Sequence, residues 1–280
     1  MNVIDLEKGI EMITKSYMIG LPGSGKTTFL GALGYYILND DEKEGTYQID
    51  TIENMDYIRE IGEIWVQCQI ISRTKVGYFV NNKLLLHDRQ NNKIEIQIPD
   101  QSGETFEHNL KARNLKESMF NDLRECSVVF MFINPSKMSK NVWIYDIPGN
   151  YRNAESGKLE ETKEVRIHDQ AKYIMLLQDI YVVRKKRTKI KIIVSAWDNY
   201  MEKDISPEEL LKTEVPMVWQ FLEANKMNFE CEYWGVSAQG GDWSSEEEQE
   251  RLQNIDHATD RIIVVDNGKN RSHDITAILR

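Results

Sequence analysis

The chain has 280 residues, 41% of them hydrophobic and 29% charged, with a formal net charge of −10. That is enough apolar material for one large α/β core, and the acidic balance argues against general nucleic-acid binding. No apolar run approaches the ~20 residues of a membrane span, the start lacks the basic and apolar regions of a signal peptide, and Cys68, Cys126 and Cys231 are too scattered for a metal or disulfide pattern, so a cytoplasmic, reduced protein with no membrane partner is expected.

In chain order, Ser16-Tyr17-Met18-Ile19 reads as a short buried strand, and Thr28 to Leu38 carries apolar residues at helical spacing. Between them lies Gly20-Leu21-Pro22-Gly23-Ser24-Gly25-Lys26-Thr27-Thr28, which fits G-x-x-x-x-G-K-S/T, the pattern of a phosphate-binding loop. Glycines let consecutive backbone N–H groups turn toward phosphate oxygens, and the following helix adds the positive end of its dipole. Lys26 can reach the β- and γ-phosphates, and the Thr27 hydroxyl can ligate Mg²⁺.

Asp40 to Gly45 reads as a solvated loop, and residues 52–69 as a helix with Ile58, Ile61, Ile64 and Trp65 on one face. Val76 to Leu86, interrupted at Asn81-Asn82, and the alternating Lys93 to Ile98 read as strands joined by a turn at 88–92, together an antiparallel hairpin. Residues 105–125 are expected to be helical, and Val128 to Ile133 is a continuous apolar run of the kind a buried parallel strand needs. The stretch from about 134 to 160 has little periodicity and reads as an insertion. Helices are expected at 160–183, 208–225 and 244–259, and strands at 190–195, 230–236 and, at the sheet edge, 262–265. The whole is expected to be a single α/β domain over 1–280. It should have the three-layer fold of P-loop nucleoside triphosphatases, a mostly parallel sheet with one antiparallel strand and helices on both faces.

Further motifs fall at predicted strand ends, where nucleotides bind in parallel sheets. Asp100-Gln101-Ser102-Gly103 is a D-x-x-G after the Lys93–Ile98 strand. Asp100 could hold Mg²⁺ through water, and the Gly103 N–H could meet a γ-phosphate, which makes the next segment a switch. Asp146-Ile147-Pro148-Gly149 also fits D-x-x-G, but it lies inside the insertion, so Asp100 is preferred. Ser195-Ala196-Trp197-Asp198 follows the 190–195 strand. An aspartate there can accept from guanine N1–H and the exocyclic amine, a donor pair that adenine lacks. Gly235-Val236-Ser237-Ala238 follows the 230–236 strand, where the Ala238 N–H could meet the guanine 6-oxo group.

Residues 16 to 280 resemble P-loop GTPases of the translation-factor-related class, and look closest to the bacterial double-GTPase family of conflict and antiviral gene neighbourhoods. Gly20–Thr28, Asp100–Glu104, Ser195–Asp198 and Gly235–Ala238 carry the resemblance, the Ser-Ala-Trp-Asp string being its most distinctive part. It implies a switch that binds GTP and GDP, hydrolyses GTP with Mg²⁺, and works beside an effector or activating protein. Ala196 stands where such proteins usually carry a lysine that covers the base, and Glu104 where many carry a water-positioning glutamine. A carboxylate beside the γ-phosphate is repelled by it, so slow intrinsic hydrolysis is expected. Thr74 is the choice for a first-switch Mg²⁺ ligand, with Thr51 and Thr46 behind it.

The basic run at 184–191 could contact nucleic acid or an acidic partner, but more often such a run is a solvated helix end. The histidines show no ligand spacing. Competing readings are an ATPase or nucleotide kinase sharing the loop, and a nucleotide-dependent interaction module that scarcely hydrolyses.

Overall fold

The computed structural model describes residues 13–39, 47–71, 82–98, 110, 112–113, 117–138 and 167–280. Strands β1 (Ile13–Gly20), β2 (Tyr47–Ile52), β3 (Asn82–Asp88), β4 (Lys93–Ile98), β5 (Val128–Ile133), β6 (Thr188–Ser195), β7 (Phe229–Ser237), β8 (Ile263–Val265) and β9 (Arg271–Ser272) form one sheet in the order β2-β3-β4-β1-β5-β6-β7-β8-β9. The run β4-β1-β5-β6-β7 is parallel throughout. The β3–β4 hairpin supplies the expected antiparallel strand. The sheet also carries a second, because β8 pairs antiparallel with both β7 and β9, so the 262–265 strand is flanked rather than at the edge.

The helices are α1 (Lys26–Leu38), α2 (Met55–Val66), α3 (Glu117–Glu125), α4 (Asp169–Arg184), α5 (Pro207–Glu214), α6 (Pro216–Ala224) and α7 (Glu246–Gln253). Alternation along the buried strands divides them between two faces. Tyr17, Ile19, Val129, Met131, Ile133, Ile192 and Val194 join α3, α4, α5 and α6 in one core. Met18, Phe130, Phe132, Ile193 and Val236 join α1, α2, α7 and the turn Ile275–Leu279 in the other. The three layers expected from the sequence are therefore present.

Differences from the expected elements have local causes. The helix expected at 208–225 is two, because Pro216 has no N–H to donate and instead opens α6 at its first position. Ser206 and Glu209 close a capping box at the start of α5, which fixes where that helix begins. β2 was not anticipated, and the shift in its pairing with β3 between Ile49 and Thr51 breaks the alternation that would have marked it.

Asp100, Gly103 and Glu104, the candidate Thr74 with its alternative Thr46, the rival Asp146 and the insertion beyond residue 138 lie outside the described residues. Thr51, the other alternative, sits in β2 opposite Leu85. No helix among the described residues is long and apolar enough to cross a membrane.

Candidate functional site

β1 has β4 on one side and β5 on the other, and the chain reverses its direction of travel across the sheet at this strand. The crevice above the carboxyl ends at such a point is where ligands bind in open α/β sheets. The Gly20–Thr28 loop leaves β1 there. Its turn is closed by Ser24 N–H donating to the Leu21 carbonyl at 3.1 Å. Gly25 caps α1 with φ 91°, a left-handed conformation that side-chain-bearing residues rarely adopt. A Cβ at Gly25 would also come within 3.0 Å of the Ser195 side chain.

Lys26 opens α1 and turns its ammonium into the loop, donating to the carbonyls of Gly20 at 2.7 Å and Leu21 at 3.0 Å and to Ser24 Oγ at 3.2 Å. Thr27 and Thr28 follow in the first helical turn, so a positive dipole end, a cation and hydroxyls converge on one loop. This donor set fits a polyphosphate. For Mg²⁺ the loop offers the Thr27 hydroxyl, and among the described residues no group of His, Cys, Asp or Glu is arranged to hold a metal.

The Ser195–Asp198 and Gly235–Ala238 motifs meet at the ends of β6 and β7. Asp198 stands in a 3₁₀ turn, Trp197–Tyr200, launched by Ala196 at φ 55°. Its Oδ1 accepts from Ser237 Oγ at 2.5 Å, and Ser237 Oγ in turn accepts from the Gly240 N–H at 3.0 Å. Gly25 and Thr28 line the same pocket as Asp198, Ser237 and Ala238. The Gly20–Thr28 loop and both motifs expected to read a base therefore share one cleft.

Trp197 does not enter that cleft. It is buried in the core, with Gly235 of β7 against its ring; a Cβ there would meet the indole at 2.4 Å. Its place in the Ser-Ala-Trp-Asp string is structural, and the base-covering lysine stem has no replacement from this side chain.

The sequence reading assigned no site role to three residues that line or support the cleft. Ser195 Oγ lies 2.7 Å from the Ser24 carbonyl and 3.2 Å from that of Ile133, joining the end of β6 to the phosphate loop. Tyr173 of α4, wholly buried, donates to the Phe132 carbonyl at 2.8 Å with Ser24 and Leu21 as further polar neighbours. Burial pushes its phenol far above the usual range, which keeps it a neutral donor. Asn134, just past β5, lines the cleft between the two halves and accepts from Ser136 Oγ at 2.7 Å. Only Ser195 carried a signal, its place at a strand end inside a motif.

The basic run is mostly spent on structure. Arg184 is buried and donates to the Leu123 and Cys126 carbonyls. Arg187 faces Glu230 at 3.6 Å and Lys189 faces Glu232 at 2.5 Å, so carboxylates of β7 meet these two cations.

Several solved structures are similar to this chain. The GTPase-like domain of Saccharomyces cerevisiae Ski7, bound to GTP, is 14% identical with a TM-score of 0.43, over 85% of this chain and 46% of that one. Sup35 complexed with GDP is 12% identical with a TM-score of 0.35, over 86% of this chain and 41% of that one. The Chaetomium thermophilum complex of signal recognition particle receptor SRb-GTP with SRX is 11% identical with a TM-score of 0.41, over 86% of this chain and 98% of the matched one. The chain thus spans less than half the length of the first two. No curated protein sequence matches it. The family model described as Double-GTPase 1 matches residues 17–280, from the middle of β1 through every element of the cleft, and the chain belongs to that family.

Proposed function

We propose that this protein is a guanine-nucleotide switch that binds GTP and GDP and hydrolyses GTP slowly. The observation that carries the reading is the shared cleft, with the phosphate loop at one end and the bonded pair Asp198 and Ser237 at the other. Family membership supports it. Backbone N–H groups of Gly20–Thr28 and the Lys26 ammonium hold the phosphates. The Asp198 carboxylate accepts from guanine N1–H and the exocyclic amine, and the Ala238 N–H donates to the 6-oxo group. Thr27 is the Mg²⁺ ligand in the first turn of α1, with Asp100 and Thr74 proposed from sequence alone. Mg²⁺ bound there supplies positive charge to the β- and γ-phosphates.

In hydrolysis, water attacks the γ-phosphate in line while Lys26 neutralises the charge that develops; the Gly103 N–H, assigned from sequence alone, would contact the transferred group. Glu104, assigned from sequence alone, would bring negative charge to the same place unless it binds Mg²⁺-linked water or points away, which is the basis for proposing slow turnover and an activating partner that brings a cation. The role in a bacterial conflict or antiviral system, with a protein effector and a cytoplasmic location, is proposed from the resemblance.

Titration with GTP, ATP and their diphosphates tests the reading. Guanine nucleotides are expected to bind at least tenfold more tightly, a ratio worth about 1.4 kcal/mol. Tighter ATP binding would overturn it in favour of an ATPase or kinase. Guanine selectivity with no measurable phosphate release would leave a nucleotide-dependent interaction module.

A further inference from the structure

Trp65, at the end of α2, reads from the sequence as a packing residue, and it is wholly buried. Its indole has a second task. The Nε1–H donates to the Ala238 carbonyl at 2.7 Å, joining residues 173 positions apart. A buried indole N–H takes a hydrogen-bond partner. Here the partner belongs to the residue whose own N–H is assigned to the guanine 6-oxo group.

The indole is held from two sides. The Tyr35 ring of α1 lies 5.3 Å away, centroid to centroid, and the Arg261 guanidinium stands 4.6 Å from the ring centroid. Arg261, itself buried, donates to the carbonyls of Val66 at 3.0 Å and Ala258 at 3.0 Å and contacts the Cys68 thiol. Gln253 Nε2 adds a bond to the Gln67 carbonyl at 2.8 Å. The end of α2 is thus fastened to the elements that follow the base-reading loop.

Ala238 is bracketed. On one side Ser237 is fixed by Asp198 and by the Gly240 N–H. On the other the Ala238 carbonyl is fixed by Trp65. The peptide after Ala238 is held by Trp65 and the side chain before it by Asp198 and the Gly240 N–H, so the backbone that carries the Ala238 N–H is restrained from both sides. Removing the Trp65 bond frees one end and leaves a buried carbonyl without its donor.

We propose that Trp65 is a positioning residue for base recognition: its N–H holds the Ala238 carbonyl and so aims the Ala238 N–H at the guanine 6-oxo oxygen. This rests on the reading of Ala238 given under Proposed function. It gives α2, which precedes the hairpin, a part in nucleotide selectivity.

The test uses the full chain and three diphosphates. GDP has every contact, 6-thio-GDP keeps N1–H and the amine but weakens the 6-position acceptor, and IDP lacks the amine that Asp198 reads. Trp65→Phe removes the N–H. Replacement of Trp65 by its benzothiophene isostere removes the N–H while keeping the ring shape, and serves if the phenylalanine variant does not fold. Either change is expected to weaken GDP about fivefold, in keeping with one lost hydrogen bond. It should also shrink the preference for GDP over 6-thio-GDP while leaving the preference for GDP over IDP in place. Equal losses for all three, or no change, would show a purely structural residue and overturn the proposal. A wild-type chain that binds ADP as tightly as GDP overturns the guanine reading itself, before any variant is made.

Discussion

Replacing Asp198 with asparagine changes one oxygen into an amide, and the structure says which way that amide faces. Asp198 Oδ1 accepts from Ser237 Oγ at 2.5 Å. The asparagine keeps this bond by holding its carbonyl oxygen toward Ser237, which turns its NH₂ toward the base. Two donors, the amide and the guanine exocyclic amine, then face each other. The variant loses charge-assisted hydrogen bonds worth about 1.5–3 kcal/mol and leaves a donor unpaired at a further cost of about 1–3 kcal/mol. Taking about 3–4 kcal/mol in all, GDP affinity should fall between a hundredfold and a thousandfold. Xanthine carries an oxo group where guanine has the amine, so XDP should gain where GDP loses. Displacement of a fluorescent diphosphate by GDP, XDP and ADP, on wild type and D198N in parallel, reads the ratio directly. An unchanged ratio of GDP to XDP in a folded D198N would remove the carboxylate from base recognition.

Other changes test the supports of the cleft. S195A removes the tie from β6 to the Ser24 carbonyl and should cost about 1 kcal/mol of stability by denaturant titration. It should weaken GTP and GDP together without altering the ratio of GDP to IDP, because it acts at the phosphate end. G235A places a methyl group into the Trp197 ring and should destabilise by about 1–3 kcal/mol; unchanged stability would mean that Trp197 is free to move toward the cleft. Y173F deletes the buried donor to the Phe132 carbonyl and should cost about 1 kcal/mol, seen as a lowered melting temperature. Burial raises the thiol pKa values of Cys68 and Cys126 and pushes Cys231 up to about 12. Native protein at pH 8 should therefore be slow to react with iodoacetamide, since the thiolate is the nucleophile. Rapid labelling, followed by mass spectrometry, would contradict that burial.

Much of this architecture is legible without coordinates because its information is local. A continuous apolar run such as Val128–Ile133 suits only a strand covered on both faces, and that is where β5 sits. The phosphate loop is legible because glycine at Gly25 answers a backbone need that other residues meet badly. What escaped the sequence depends on distant partners. Trp65 and Trp197 look alike as apolar residues, yet one bonds a carbonyl of the base loop and the other fills the space over Gly235. Tyr173 sits on an ordinary helix face, and its use appears only when α4 packs beneath the loop. β2 escaped for another reason: half exposed and bulged, it has neither a continuous run nor a clean alternation.

The strand order explains why widely separated motifs can serve one molecule. β1, β5, β6 and β7 are successive parallel neighbours, and their carboxyl ends carry the phosphate loop, Asn134, Asp198 and Ser237 in turn. Neighbouring strands stand about 4.8 Å apart, so the ends of β1 and β6 are about 10 Å apart across the sheet, and the end of β7 is one strand farther. A nucleotide laid along the strand ends meets phosphate donors first and base acceptors last, with the sheet setting the interval. The same geometry lets Ser195, at the end of β6, touch the loop. Under the proposed reading, base and phosphate recognition would be joined through the Ser195 hydroxyl, which ties the end of β6 to the phosphate loop. S195A should uncouple them: the stabilising effect of a bound phosphate on the Asp198 turn, read by hydrogen exchange at residues 196–201, should shrink in the variant. If inorganic pyrophosphate protects that turn equally in wild type and S195A, the tie carries no coupling and serves stability alone.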